Sequence, residues 1–474
     1  MTKKNSPVKM ERAFLSKEIN FLKFDSEPEE QTDPMPDEYL SDRIRSQKPW
    51  MEDFTDRLEK SDIPGNTFVC TVVNLLVKTA PCALPPADSD LNLEHGVNKK
   101  AGQIPDELPD QISDLTSYLM PDQGVIQKID HRYIVITLWN QDHLDPILSR
   151  IREACCSGGE SDPIVGTAVF PFMDFSRKET FYNAVRAVDH AAFLGPGSKV
   201  AFGDISLNIS GDRLYQLGFM DEAAQEYRRG ITINPENTNL MNSLGVCHAM
   251  NNDPEQAKKT FETALLKDPT EVMVVYNLGI VCNILEQDDQ ALFYLEKASQ
   301  IDSSIFEIEL TTGNLYLKEG RLDAALPHLT RAKELNTCAG LPYRLLGEYY
   351  LETETIASPI DKSIGEFKQA IKLNPMDAVS LSGLAHAFYL TNKNLQIAIT
   401  LAEESIRIDP DTPLFHSRLG NLYLETGQKE LAQMAFAMAE KTPGANPSLF
   451  QKTQTLPREE TLNMTRKTKK KKIA

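Results

Sequence analysis

The sequence predicts two folded parts in series: an α+β domain, then an all-α array of helical hairpins. Three observations predict this. Strand-length apolar runs alternate with amphipathic stretches over residues 48–203. From about Asp204 a period of 34 residues takes over. The 474 residues are 41% apolar and 25% charged. At one domain per ~150 residues that length suits about three units, each able to bury an ordinary core.

Residues 1–47 carry Glu27, Glu29, Glu30, Asp33, Asp37, Glu38 and Asp42 among Pro28, Pro34 and Pro36. Such a segment has little to bury and reads as a disordered acidic leader. Trp50, Phe54 and Leu58 stand at helical spacing and predict a short helix over 49–60. Residues 68–77 read as a buried strand, and the Pro- and Asp-rich residues 79–105 as a long surface loop. A helix is expected over 110–119 and a strand over 124–129. After a turn at Asp130-His131, residues 133–138 read as another strand. A helix over 143–155, a strand over 164–170, a helix over 178–193 and a last strand over 199–202 complete this part. The order matches a ferredoxin-like sheet with its helices on one face.

The second part repeats a fixed pattern. Leu-Gly or a variant recurs at Ser210-Gly211, Leu244-Gly245, Leu278-Gly279, Thr312-Gly313, Leu346-Gly347, Leu384-Ala385 and Leu419-Gly420. A small residue follows at Ala223, Ala257, Ala291, Ala325, Ser363, Ala398 and Ala432. Four residues later come Tyr227, Phe261, Leu295, Leu329, Phe367, Ala402 and Phe436. Asn-Pro or Asp-Pro closes several units, at Pro235, Pro269, Pro375 and Pro410. Small residues let two antiparallel helices approach, bulky ones fill the gap, and proline ends the second helix. One such unit cannot bury its apolar face alone, so about seven must stack, over residues 204–446.

This part resembles the tetratricopeptide repeat (TPR) family, although the family's Trp is replaced by Leu207, Met241, Val275, Glu309, Tyr343, Leu381 and His416. The resemblance implies a superhelical solenoid whose first helices form a concave groove for a partner peptide or helix. By repeat position, the groove candidates are Asn208, Asp212, Asn242, Val246, Tyr276, Ile280, Asn283, Asn314, Arg344, Glu348, His386 and Asn421. The family's groove for a C-terminal carboxylate uses Lys and Asn at successive concave positions. Here Val246 and Ile280 stand in the second and third units, so a partly apolar groove is expected there.

Residues 48–203 resemble a diguanylate cyclase (GGDEF) domain. The resemblance rests on a helix before the first strand, a hairpin where the signature belongs, Val165-Gly166-Thr167-Ala168-Val169-Phe170-Pro171, and Val188-Asp189-His190-Ala191-Ala192-Phe193. It implies two glycines that admit a nucleotide and carboxylates that hold Mg²⁺. The hairpin here reads Ile129-Asp130-His131-Arg132-Tyr133 and has neither glycine. The first-strand carboxylates would fall near Val73 and Leu75, and the Arg-x-x-Asp product site at Met120 and Gln123. A degenerate GGDEF-like domain without catalysis, cofactor or metal is therefore expected. Asp130 reads as a turn residue, while His131 and Arg132 are the groups able to touch a phosphate. Two alternatives stand beside this reading: a regulator that senses a nucleotide, and an active cyclase.

Charge and cysteines narrow the function further. The formal net charge is −18, and the last nine residues hold six Lys/Arg, so the rest carries −24. An acidic body argues against nucleic-acid or anionic-membrane binding, except weakly through the basic tail, expected to be disordered over 447–474. No apolar stretch reaches transmembrane length, and the first residues do not read as a secretory signal. Seven irregularly spaced cysteines fit neither a zinc site nor a disulfide framework, and imply a reducing compartment. Gly195-Pro196-Gly197-Ser198-Lys199 lacks the Gly-Lys-Ser/Thr ending of a phosphate loop. The expectation is a cytoplasmic, bacterial, non-catalytic adaptor that binds protein partners.

Overall fold

The computed structural model describes residues 40–41, 54–59, 67–75, 124–129, 133–157, 162–353 and 359–442. They fall into two compact units, the first ending at Gln287 and the second starting at Asp288. The acidic leader bar two residues, the loop over 79–105, the helix over 110–119, the positions Met120 and Gln123, the hairpin tip at 130–132 and the basic tail lie outside the described residues.

The first unit begins with a five-stranded sheet: β1 (Phe68–Asn74), β2 (Gly124–Lys128), β3 (Tyr133–Leu138), β4 (Ile164–Phe170) and β5 (Lys199–Ala201). The strands lie in the order β2-β3-β1-β4-β5. β1 is antiparallel to both neighbours, and β5 runs parallel to β4. β1 is buried at all seven positions, which requires a cover on each face. On one face Phe68, Cys70 and Val72 pack with Tyr133, Val135 and Ala168. Their cover is α2 (Arg177–Leu194) together with the short helix over 54–59, through Phe181, Ala184, Phe54 and Leu58. On the other face Val69, Val73, Ile134, Ile136 and Leu138 pack under Leu144, Ile147 and Ile151 of α1 (Leu144–Ser157). The expectation of helices on one face is thus corrected. β1 (Phe-Val-Cys-Thr-Val-Val-Asn) buries residues pointing to both faces, so each face carries a cover. A capping box starts α2, where Ser176 accepts from the Glu179 amide and Glu179 from the Ser176 amide.

The first unit continues with α3 (Asp204–Gln216) paired with α4 (Met220–Ile233), α5 (Thr238–Met250) with α6 (Pro254–Lys267), and then α7 (Val272–Ile284). The second unit opens with α8 (Asp288–Ile301). Four pairs follow. They are α9 (Phe306–Lys318) with α10 (Leu322–Leu335) and α11 (Gly340–Glu352) with α12 (Pro359–Leu373). The last two are α13 (Ala378–Thr391) with α14 (Leu395–Ile408) and α15 (Pro413–Glu425) with α16 (Lys429–Lys441).

The repeated residue types explain the pairing. A Cβ on Gly245 would lie 2.4 Å from the Phe261 ring, and one on Gly420 would lie 2.6 Å from the Phe436 ring. The glycine of one helix and the bulky residue sixteen positions on are therefore one contact, as the period implies. Ala223, Ala257, Ala325, Ala398 and Ala432 are fully buried beside them. Asp253 caps α6 through the Gln256 amide, with Pro254 at the first helical position.

The residues in place of the family's Trp are all buried. Glu309 is the costly one, because a buried carboxylate needs partners. It accepts from Ser299 Oγ at 2.5 Å and pairs with His328 Nδ1 at 2.7 Å.

In the first unit the sheet part is fastened to the first helical pair. Arg186 of α2 grips Glu226 of α4 through both guanidinium nitrogens, Nε and Nη2, at 2.6 Å each. Arg229 of α4 pairs with Glu179 of α2 at 2.5 Å and lies over the Phe175 ring, 4.2 Å from its centre. Among the described residues, no helix is long and apolar enough to cross a membrane.

Candidate functional site

Within each unit the first helices of successive pairs touch one another. α3 meets α5 and α5 meets α7 in the first unit; α9 meets α11, α11 meets α13, and α13 meets α15 in the second. This row carries the residues expected to line a groove. α3, α5, α7 and α11 present a pair of them at i and i+4, one turn apart on one face, and α9, α13 and α15 one each.

In the first unit most of these residues are engaged in packing. Asn208 donates to Asp212 at 3.2 Å, and Asp212 also accepts from the Tyr227 hydroxyl at 2.7 Å. Asn242 is buried and accepts from Asn277 of the next first helix at 2.8 Å. Val246, Tyr276 and Ile280 are buried at 0%, 1% and 1% exposure. Asn283 is half-buried near the end of α7. The half-buried Asn208 keeps a buried Oδ1 with no hydrogen-bond partner.

In the second unit Glu348 feels both Arg344 and Arg418, and Arg418 also acts on His386. Asn314 is half-buried on α9. Arg344 of α11 reaches Asp377, the N-cap of α13, at 3.5 Å. Glu348 stands one turn on from Arg344 and is half-buried. Burial raises its carboxyl above the usual range, while Arg344 and Arg418 pull it back. His386 of α13 is held neutral, its imidazole pushed down to about 3 by burial and by Arg418. Its ring stacks on Tyr389 with centres 5.9 Å apart. Asn421 of α15 is 4% exposed.

Arg418 was missed by position. It precedes the Leu-Gly pair, where the other units carry Ile209, Ser243, Asn277, Thr311, Leu345 and Gly383. A lone charge at that register was the available signal. The side chain donates from Nη1 to Ser382 Oγ of α13 at 3.0 Å. Burial brings its guanidinium down to about 10, against the opposing pull of Glu348. No ion pair joins Glu348 to Arg418 among the described residues. Three buried polar atoms on these helices have no hydrogen-bond partner: Arg344 Nε, His386 Nδ1 and Ser417 Oγ. Among the described residues, no group of three His, Cys, Asp or Glu is placed to hold a metal ion.

Comparison with known proteins bears on the helical part. The tetratricopeptide repeat family matches residues 214–274, from the end of α3 to the start of α7. Anaphase-promoting complex subunit 3 of Schizosaccharomyces pombe is 24% identical over 208 residues, 42% of this chain and 30% of that protein. Peroxisome biogenesis protein 5 of Arabidopsis thaliana is 40% identical over 86 residues, 18% of this chain and 12% of that one. The chain thus spans less than a third of the length of these curated relatives. A solved tetratricopeptide repeat protein from Parabacteroides merdae superposes with a TM-score of 0.41 at 18% identity, covering 53% of this chain and 96% of that one. The chain carries tetratricopeptide repeats: the matched segment 214–274 lies inside a run in which Gly211, Gly245, Gly279, Gly313 and Gly347 recur every 34 residues.

Proposed function

We propose that this chain is a non-catalytic scaffold that holds a partner peptide or helix along the first helices of its second unit. The observation that carries the reading lies in the second unit: the half-buried polar side chains Arg344 and His386, on adjacent first helices, each keep an unmet hydrogen-bonding group. Buried polar atoms in folded proteins nearly always find a partner, so these orphans are groups that a bound partner would satisfy after a side-chain shift. The printed name of one relative, a subunit of a complex, supports an assembly role.

The α+β part is read as a degenerate GGDEF-like domain over 48–203, with the helical array over 204–446. The β2-β3-β1-β4 order, with β1 antiparallel to both neighbours, supports a ferredoxin-like core. Val73 and Leu75, at the positions expected of metal-holding carboxylates, are 0% and 2% exposed in the apolar core. That supports a domain without cyclase chemistry. A cytoplasmic location is supported by the unpaired thiols of Cys70, Cys247, Cys282 and Cys338.

The test is a tagged pull-down with mass spectrometry, repeated with the double variant Arg344→Ala, His386→Ala. Partners lost by the variant, with far-ultraviolet circular dichroism unchanged, support the reading. Partners retained by a folded variant overturn it.

A further inference from the structure

α16 carries an apolar stripe on its outer side. Leu431, Met434 and Met438 are 41%, 65% and 51% exposed. Their spacing of three and then four residues sets them along one face of the helix. In the other units the place of Met438, six residues after the small residue, holds Arg229, Thr263, Lys297, Arg331, Gln369 or Glu404. The stripe is not the face that a further helix of the array would cover. In α6 the same three places hold Gln256, Lys259 and Thr263, which all stay exposed although α7 packs against α6. An apolar stripe at these places is thus open to another molecule, and Met side chains adapt readily to a facing surface. Two charges frame it. Glu430 in the first turn and Lys441 in the last are both exposed. At 3.6 residues per turn they lie on the same flank of the stripe. Among the described residues neither belongs to an ion pair.

We propose that a second copy of this chain docks on this stripe, α16 against α16, antiparallel about a twofold axis. Such an axis sets each flank against the same flank of the other copy, and the first turn beside the last. Glu430 of each copy then meets Lys441 of the other, and Met434 of each faces Met438 of the other. A parallel pair would bring Glu430 level with Glu430 and Lys441 level with Lys441, so the charges select the antiparallel sense. Three apolar side chains per copy make a small interface, and the dimer is weak, with a dissociation constant on the order of 10 μM. α16 is a second helix, so this contact leaves the first helices untouched and does not depend on the scaffold reading.

The experiment is sedimentation velocity of the full chain at low salt, from about 1 to 300 μM. The mass is expected to rise from monomer to dimer across that range. M434E with M438E should weaken the dimer by more than about tenfold. E430K or K441E alone should weaken it by about tenfold, because each turns two attractive contacts into repulsive ones. An equimolar mixture of E430K and K441E should recover the dimer, since every pair in the mixed species is again of opposite sign. Far-ultraviolet circular dichroism checks that each variant keeps its helices. A mixture no more dimeric than its components overturns the antiparallel pairing, and a dimer that survives in folded M434E with M438E overturns the stripe. A monomer at every concentration overturns the second copy as the occupant. In that case slow oxidation of Met434 by peroxide assigns the stripe to residues 443–474 of the same chain, and fast oxidation leaves it to a different protein.

Discussion

Arg186 and Glu226 form a two-pronged ion pair, 2.6 Å at each prong, with their side chains 18% and 10% exposed. Arg186 also donates to Asn183, so the fork is held in place before it meets Glu226. The pair joins the helix that covers the sheet to the second helix of the first repeat. The apolar sheet core and the helical array thus share a boundary that is specific in its polar geometry.

Removing one partner strands a nearly buried charge. Arg186→Gln is expected to lower the stability of the first unit by roughly 3 kcal/mol, the low end for a broken buried pair. Arg186→Met with Glu226→Leu should recover most of that loss, because both desolvation costs vanish together. Guanidinium unfolding curves for the three proteins check this. A double variant as unstable as the single one would contradict it.

Gly245 has no room for a side chain against Phe261. Gly245→Ala should cost roughly 1–3 kcal/mol through overpacking. Gly245→Ala with Phe261→Leu should cost less than the sum of the two separate changes, since the smaller residue yields the space. Thermal melts of the single and double variants give the coupling directly.

His386 makes the second unit acid-sensitive. Its folded pKa of about 3 lies below the ordinary 6.5. The unfolded chain therefore binds the extra proton first, and stability present above 6.5 is lost as the pH falls towards 3. The limiting slope is about 1.4 kcal/mol per pH unit for one proton. Glu348, with its raised carboxyl, has the opposite sign: its contribution is lost as the pH rises through its folded value. Denaturation midpoints taken across the acid range should fall less steeply in His386→Gln than in the parent.

The thiols should divide sharply under native alkylation. Burial lifts Cys70 and Cys247 to about 12, while Cys338 is exposed. Since the thiolate reacts, iodoacetamide is expected to label Cys338 well before Cys70 or Cys247. Peptide mass spectrometry over time reads the order, and early labelling of Cys70 would show that the sheet core opens readily.

Sequence alone determined the repeat period, the small and bulky pairing positions, and two of the strands to the residue, over 133–138 and 164–170. These are local or periodic properties, and each residue type carries its own reason. Tertiary packing decided the rest. Groove positions chosen by register split into buried ones, such as Val246 and Ile280, and half-buried ones, such as Arg344 and His386. Register gives the face of a helix, whereas neighbouring helices decide how much of that face they cover. Arg418 sits outside the expected register and reaches Ser382 only because its long side chain spans the gap to the preceding first helix. The second cover of β1 was not expected from the sequence, because it depends on contacts of Val69 and Val73 with Leu144, Ile147 and Ile151, far apart in the chain.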